Sequence, residues 1–253
     1  MKYTILGCGS STGTPQIGCS CVVCKSQNPK NYRTRPSLLV EVAETKILVD
    51  TTPDLRSQAL NNDLHYVDAV LYTHAHADHI MGIDELKLLS KDGKPIPCYA
   101  DQHTANALEQ KFAYTIEQQH PLYPKKIDLR VVKPYENLII CGISILPFLQ
   151  EHAGICSLGF RFGKLAYSTD VENLSTKSFE ALKGVEIWIV DCHRYHAAPS
   201  HGCLELIIHW MARIKPRLTI FTHMSHGMEY DEMRAFLPAN IIPAYDGMVI
   251  FEE

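Results

Sequence analysis

Between positions 73 and 79 the chain reads Thr-His-Ala-His-Ala-Asp-His, which packs three imidazoles and one carboxylate into the six positions from His74 to His79. The run before it, residues 67–72, carries Val67, Ala69, Val70, Leu71 and Tyr72 and is read as a buried strand, so the donors emerge at a strand's end. Imidazole nitrogen and carboxylate oxygen both suit Zn²⁺, Mn²⁺ or Fe²⁺. His74 and His76 stand two positions apart and can aim at one ion from extended backbone, which leaves Asp78 and His79, beyond the turn, for a second. The competing picture is a polar loop that caps a helix starting near residue 81 or 82. It gives no reason for so many donors.

A second donor cluster lies at Gly18-Cys19-Ser20-Cys21-Val22-Val23-Cys24. The spacings C-x-C and C-x-x-C let short turns aim sulfur at one centre, and a tetrahedral site then needs a fourth ligand from elsewhere. A redox C-x-x-C is the alternative, but it leaves Cys19 unexplained and usually opens a helix after a strand. The chain has nine cysteines, an odd number, and its first residues break into Gly and Ser too soon for a secretory signal. Reduced thiols or metal ligands in a cytoplasmic protein are therefore expected. No apolar stretch reaches the ~18 residues of a membrane span. The net charge of -4 speaks against a footprint for extended nucleic acid and leaves room for a small phosphate-bearing substrate. With 253 residues, 46% of them apolar, and no low-complexity linker, one domain over 1–253 is expected, with the zinc-binding loop at about 18–26.

The remaining punctuation is strand-rich. Strands are predicted over 3–8, 96–100, 185–190, 217–221 and 248–251, hairpins over 37–49 and 157–168, and paired strands over 137–147. Helices are predicted over 83–90, 103–112, 175–182 and 204–214. The stretch Gly7-Cys8-Gly9-Ser10-Ser11-Thr12-Gly13 is one residue off the dinucleotide fingerprint and lacks the βαβ pattern after it, so it is read as a turn with close backbone approach. Lys25, Lys30, Arg33 and Arg35 form a basic loop, either solvated or attracting phosphate at a site mouth. Asp50 ends a strand and is placed behind the histidine loop as support. His65, His103 and His120 lack partners in sequence, and residues 113–123 suit a lid or a dimer contact. The parallel between Val49-Asp50 and the strand ending at Asp170 suggests an internal duplication, without an identity long enough to prove one.

The string His74-Ala75-His76-Ala77-Asp78-His79 after a strand resembles the signature of the metallo-β-lactamase superfamily. That resemblance implies an α/β (α+β) fold, an αββα sandwich of two facing mixed sheets with two metal ions at one edge. It also implies His74, His76 and His152 on the first ion, Asp78, His79 and His223 on the second, and Asp170 bridging. Two such ions would give a two-metal-activated hydroxide, with Asp78 orienting it, and would neutralise charge on a phosphodiester. His201, outside both ligand sets, is the candidate general acid, with His193 and His196 as competitors. His226, three residues after His223, is the natural fourth ligand for a structural Zn²⁺ on Cys19, Cys21 and Cys24.

The thiol motif together with Thr222-His223-x-x-His226 and the closing Asp246-Gly247-Met248 resembles the PhnP-type phosphodiesterases. This implies hydrolysis of a small or cyclic phosphodiester such as phosphoribosyl 1,2-cyclic phosphate, with Mn²⁺ or Zn²⁺ at the reactive pair and a homodimer. Alternatives on the same scaffold are a thioester hydrolase of the glyoxalase II kind and an RNA or nucleotide phosphodiesterase.

Overall fold

The computed structural model describes residues 1–117, 124–197 and 200–252. Two seven-stranded sheets carry the chain. The first contains β1 (Lys2–Gly7), β2 (Ser37–Val42), β3 (Thr45–Val49), β4 (Ala69–Leu71), β5 (Ile96–Ala100) and β6 (Ile127–Val131). The second contains β7 (Leu138–Ile140), β8 (Ile143–His152), β9 (Ile155–Phe162), β10 (Leu165–Ser168), β11 (Ile187–Asp191), β12 (Leu218–Thr222) and β13 (Ile241–Pro243), and β14 (Met248–Phe251) returns to the first. Their orders are β14-β1-β2-β3-β4-β5-β6 and β13-β12-β11-β10-β9-β8-β7. In each sheet four strands pair antiparallel, and the last of these continues into a parallel run: β3 to β6 in the first, β10 to β13 in the second. The two halves thus repeat one pairing plan, which accords with the duplication suggested by their sequences.

Strands buried on both faces explain the unbroken apolar runs. Along β2, Leu38 and Val40 join one buried cluster while Leu39 joins another; along β3, Ile47 and Val49 part from Leu48 in the same way. One cluster fills the space between the sheets, where Tyr3, Leu38 and Val49 meet Leu158, Phe160 and Phe162. The other lies under the helices of the first half, α1 (Leu55–Asn61), α2 (Ala77–Ile80), α3 (Leu86–Leu89) and α4 (Gln102–Ile116). Helices α5 (Thr176–Ala181) and α6 (Leu204–Ile214) cover the second sheet through Trp188 and Trp210, and α7 (Tyr230–Phe236) precedes β13. These layers are the metallo-β-lactamase sandwich that the resemblance implied.

Direction then decides where the functional groups gather. β3, β4, β10, β11 and β12 lie in parallel runs, and β8 runs with β10 because both are antiparallel to β9. Their ends deliver Asp50, Thr73, His152, Asp170, Asp191 and His223. A hydrogen bond from Leu158 N to Thr73 O, 2.8 Å, ties the sheets beside the histidine loop.

Boundaries moved in several places. The 67–72 strand is reduced to β4, the 83–90 helix splits into a tight turn at Ile83–Glu85 and the short α3, and α4 outruns its predicted end at 112. Strand β6, strand β13, helix α1 and helix α7 were not foreseen; each is seven residues or fewer, too short for a periodic signal. Residues 118–123 of the candidate lid, with His120, lie outside the described residues. His65 is exposed beside Asp63, 2.8 Å away, and His103 is exposed at the start of α4. Among the described residues no helix is long and apolar enough to cross a membrane.

Candidate metal centres

The histidine loop turns sharply after β4, and Asp78 and His79 fall in the first turn of α2. Its base is fixed from β3: Asp50, fully buried, accepts from Thr73 N and Thr73 Oγ1 at 2.8 Å each and from His79 Nδ1 at 2.7 Å. With Nδ1 so engaged, His79 turns Nε2 inward. Thr73 Oγ1 also stands 3.0 Å from His74 Nδ1, which leaves His74 Nε2 to face the same space.

Two donor groups meet there. His74, His76 and His152 bring one nitrogen each within 4.8 Å of one another, and Asp78, His79, Asp170 and His223 do the same. Asp170 joins the groups: its Oδ2 lies 3.1 Å from His79 Nε2, and its Oδ1 lies 3.3 Å from His223 Nε2 and 3.5 Å from His152 Nε2. Ring nitrogens His74 Nε2, His79 Nε2 and His223 Nε2 are buried and have no hydrogen-bond partner among the described residues. Buried donors close together but not aligned on one another are what a shared cation requires, so this donor set fits divalent ions. Burial lowers the His223 pKa, but Asp170 and then Asp78 and Asp191 outweigh it and hold it up at about 9. His79 is likewise raised, against burial, by Asp170, Asp78 and Asp50. Burial raises the Asp78 pKa, yet His79 and His223 hold it well below the usual carboxylate range.

His201 lies at the rim, with 17% of its side chain exposed and its ring stacked 4.8 Å from that of His223. Its Nδ1 pairs with Asp191 Oδ2 at 2.9 Å. Asp191 is fully buried, and its Oδ1 lies 3.7 Å from His223 Nδ1. One carboxylate at the end of β11 therefore faces both a donor of the cluster and the candidate acid. Sequence reading gave Asp191 no role; the available signal was its place at a strand's end, matching Asp50 and Asp170. Of the competitors, His196 is exposed and pairs with Glu205 at 3.1 Å, away from the cluster, while His193 stacks on His201 at 4.5 Å.

The thiols converge as well. Sγ of Cys19 and of Cys21 each lie 3.4 Å from His226 Nδ1, and Cys24 completes a group whose donor atoms are all within 4.8 Å. A tetrahedral zinc sets sulfur and nitrogen about 3.5 Å apart. The Cys24 N–H donates to Cys21 Sγ and, with His226, brings the Cys21 thiol down to about 6, which favours the thiolate an ion needs. Of the basic loop Lys25 is exposed, while the other three basic residues are engaged by the protein. Arg33 is 1% exposed and donates to Ser225 O (3.2 Å), Met228 O (2.6 Å) and Asn31 Oδ1 (3.0 Å), which clamps the turn carrying His226. Arg35 pairs with Asp54 at 3.0 Å, and Lys30 sits over the rings of Tyr230 and Tyr245.

Comparison with known proteins agrees with this geometry. The family model described as a beta-lactamase superfamily domain matches residues 45–224. A solved structure of a protein described as a new diphosphatase from the PhnP family is 36% identical with a TM-score of 0.92, and the match covers 100% of this chain and 98% of that one. An octanoyltransferase of Porphyromonas gingivalis is 32% identical over 98% of this chain and 51% of its own length. A ribonuclease Z of Methanopyrus kandleri is 42% identical over 53% of this chain and 45% of its own. The chain thus spans about half the length of these curated relatives. Matched across most of its length by the superfamily model, and over its whole length by a PhnP-family structure, the chain belongs to the β-lactamase superfamily and, within it, to the PhnP family.

Proposed function

We propose that the protein is a metal-dependent phosphodiesterase acting on a small or cyclic phosphodiester of the phosphoribosyl 1,2-cyclic phosphate kind. In this proposal His74, His76 and His152 hold one divalent ion, Asp78, His79 and His223 hold the other, and Asp170 faces both. The carrying observation is the meeting of these seven side chains, drawn from four strand ends, with the buried Nε2 atoms of His74, His79 and His223 left without a hydrogen-bond partner among the described residues. Bound there, a Mn²⁺ or Zn²⁺ pair would acidify a water toward neutral pH and offset charge on the substrate's oxygens.

The side chains do the rest. Asp78, kept ionised by the two imidazoles beside it, orients the attacking water. His201, gripped through Nδ1 by Asp191, offers Nε2 to protonate the departing oxygen. A structural Zn²⁺ on Cys19, Cys21, Cys24 and His226 pins the amino-terminal loop beside the cluster. The same proposal includes a homodimer in the cytoplasm, which light scattering and fractionation test.

Likeness to a diphosphatase supports phosphate chemistry, as does the ribonuclease Z match. The octanoyltransferase match keeps a thioester in the panel as the second reading. Metal analysis of the purified protein, with hydrolysis of bis-aryl phosphate, ribose 1,2-cyclic phosphate, a diphosphate and a glutathione thioester in parallel, is the test. Turnover of the phosphodiesters is expected. Turnover of the thioester alone would remove the proposal.

A further inference from the structure

His193 stands two positions past the end of β11, and both of its backbone groups are engaged: its N–H donates to Gly202 O (2.9 Å) and its C=O accepts from Ser225 N (3.1 Å). One bond reaches the residue after the candidate acid, the other the turn that carries His226. Its ring then lies against that of His201, with centroids 4.5 Å apart and planes 15° from parallel. The His193 Nδ1 is buried and has no hydrogen-bond partner among the described residues, so no bond from that atom accounts for the ring's place.

Asp191, His193, His201 and His223 bring one donor atom each within 4.8 Å of one another, as the ligand groups do. An ion does not suit this group. Imidazole lone pairs lie in the ring plane, and two rings stacked nearly parallel cannot both aim at one centre about 2 Å from each nitrogen. What His201 needs is a second constraint on its ring. Its backbone is fixed on either side, by His152 Nδ1 donating to Ser200 O (2.7 Å) and by His193 N on Gly202 O. The bond from its own Nδ1 to Asp191 Oδ2 (2.9 Å) fixes one atom and leaves the ring free to swivel about it. A flat face laid against the ring removes that freedom. Of the two rings stacked on His201, His223 belongs to a ligand group, and His193 is the one with no other duty.

We infer that His193 is a positioning residue for His201: its ring sets the plane of the acid's imidazole, so that Nε2 stays aimed at the departing oxygen. This rests on the phosphodiesterase reading with His201 as its general acid, and it gives His193 a part that involves no proton of its own. A competitor for the acid's role in sequence becomes the support that the acid leans on.

The test compares the zinc-loaded parent with His193→Ala, which removes the face, and His193→Phe, which keeps a flat ring and removes both nitrogens; His193 is partly exposed, and melting curves check that both variants fold. Values of kcat and KM are measured across aryl phosphodiesters whose leaving phenols run from nitro- to alkyl-substituted. In His193→Ala, kcat for the poorest leaving phenol should fall about tenfold, near the upper worth of a stacked ring pair, while the nitrophenyl ester and KM change by less than about twofold. His193→Phe should stay within about twofold of the parent on every ester. By NMR, the His201 Nδ1 proton held on Asp191 should exchange with water faster in His193→Ala and at the parental rate in His193→Phe. Equal damage in the two variants, or parental leaving-group dependence in His193→Ala, would overturn the inference. A parent that hydrolyses no phosphodiester strikes the phosphodiesterase reading instead, and the exchange rates still decide whether His193 holds the His201 ring. Should His193→Phe fail to fold, an unchanged exchange rate in His193→Ala overturns the inference by itself.

Discussion

Replacing Asp50 by asparagine barely alters volume, yet it should weaken the hold of the proposed site on one of two ions. The Asp50 carboxylate accepts from Thr73 N, Thr73 Oγ1 and His79 Nδ1 at 2.7–2.8 Å. An amide there has two orientations. With its NH₂ toward His79, it donates to Nδ1 and forces the proton onto Nε2, the atom that stands 3.1 Å from Asp170 and would ligate. With its oxygen toward His79, its NH₂ meets the buried Thr73 N–H donor to donor. Either way about 1.5–3 kcal/mol of charge-assisted bonding is lost, which is about 10- to 150-fold in affinity at ~1.4 kcal/mol per decade and agrees with the ~10- to 100-fold usual for partners standing behind a ligand. Competition against a fluorescent chelator should show one of two ions bound that much more weakly in Asp50→Asn, with the ion-free protein melting about 3–12 °C lower. Two ions retained at parental affinity would refute the tautomer reasoning.

Other outcomes follow from the same geometry. His201→Ala should slow esters of poor leaving alcohols by about 10²- to 10⁴-fold and aryl esters much less; a leaving-group series measures this, and equal losses would deny proton donation. Cys21→Ser should lower the zinc content by one ion per chain and the melting temperature with it, since structural zinc sites contribute ~10–16 kcal/mol of apparent binding energy in peptides; elemental analysis and calorimetry check both. Ion affinity should climb with pH up to and beyond about 9, because His223, held up at about 9, and His79, raised as well, must both give up a proton before they can ligate. Below that value each competing proton weakens binding up to about tenfold per pH unit, so a flat profile between about pH 6 and 8 would contradict the assignment of His223.

What the sequence made legible was whatever it wrote contiguously. His74, His76, Asp78 and His79 fall within six positions, and Cys19, Cys21 and Cys24 do likewise, so spacing alone disclosed two clusters. His152, Asp170 and His223 were single residues at strand ends that only the family pattern joined to the loop. Asp191 had no such pattern, and its place between His201 and His223 depends on a parallel register that pairs it with Thr222. Arg33 misled for the opposite reason: a basic residue among lysines looks solvated, and only the fold shows it buried beneath Ser225 and Met228. Short elements such as α1 and β13 left no periodicity to read.

The shared pairing plan of the two sheets also bears on how the molecule matures. Four of the seven donors come from the first repeat and three from the second, so neither repeat by itself owns a full coordination sphere. Under the proposed assignment, capture of a cation pair would therefore come late, once both sheets have closed on each other, and a nascent or partly opened chain would let the ions go. Retention of such a pair would then be a built-in readout of successful assembly.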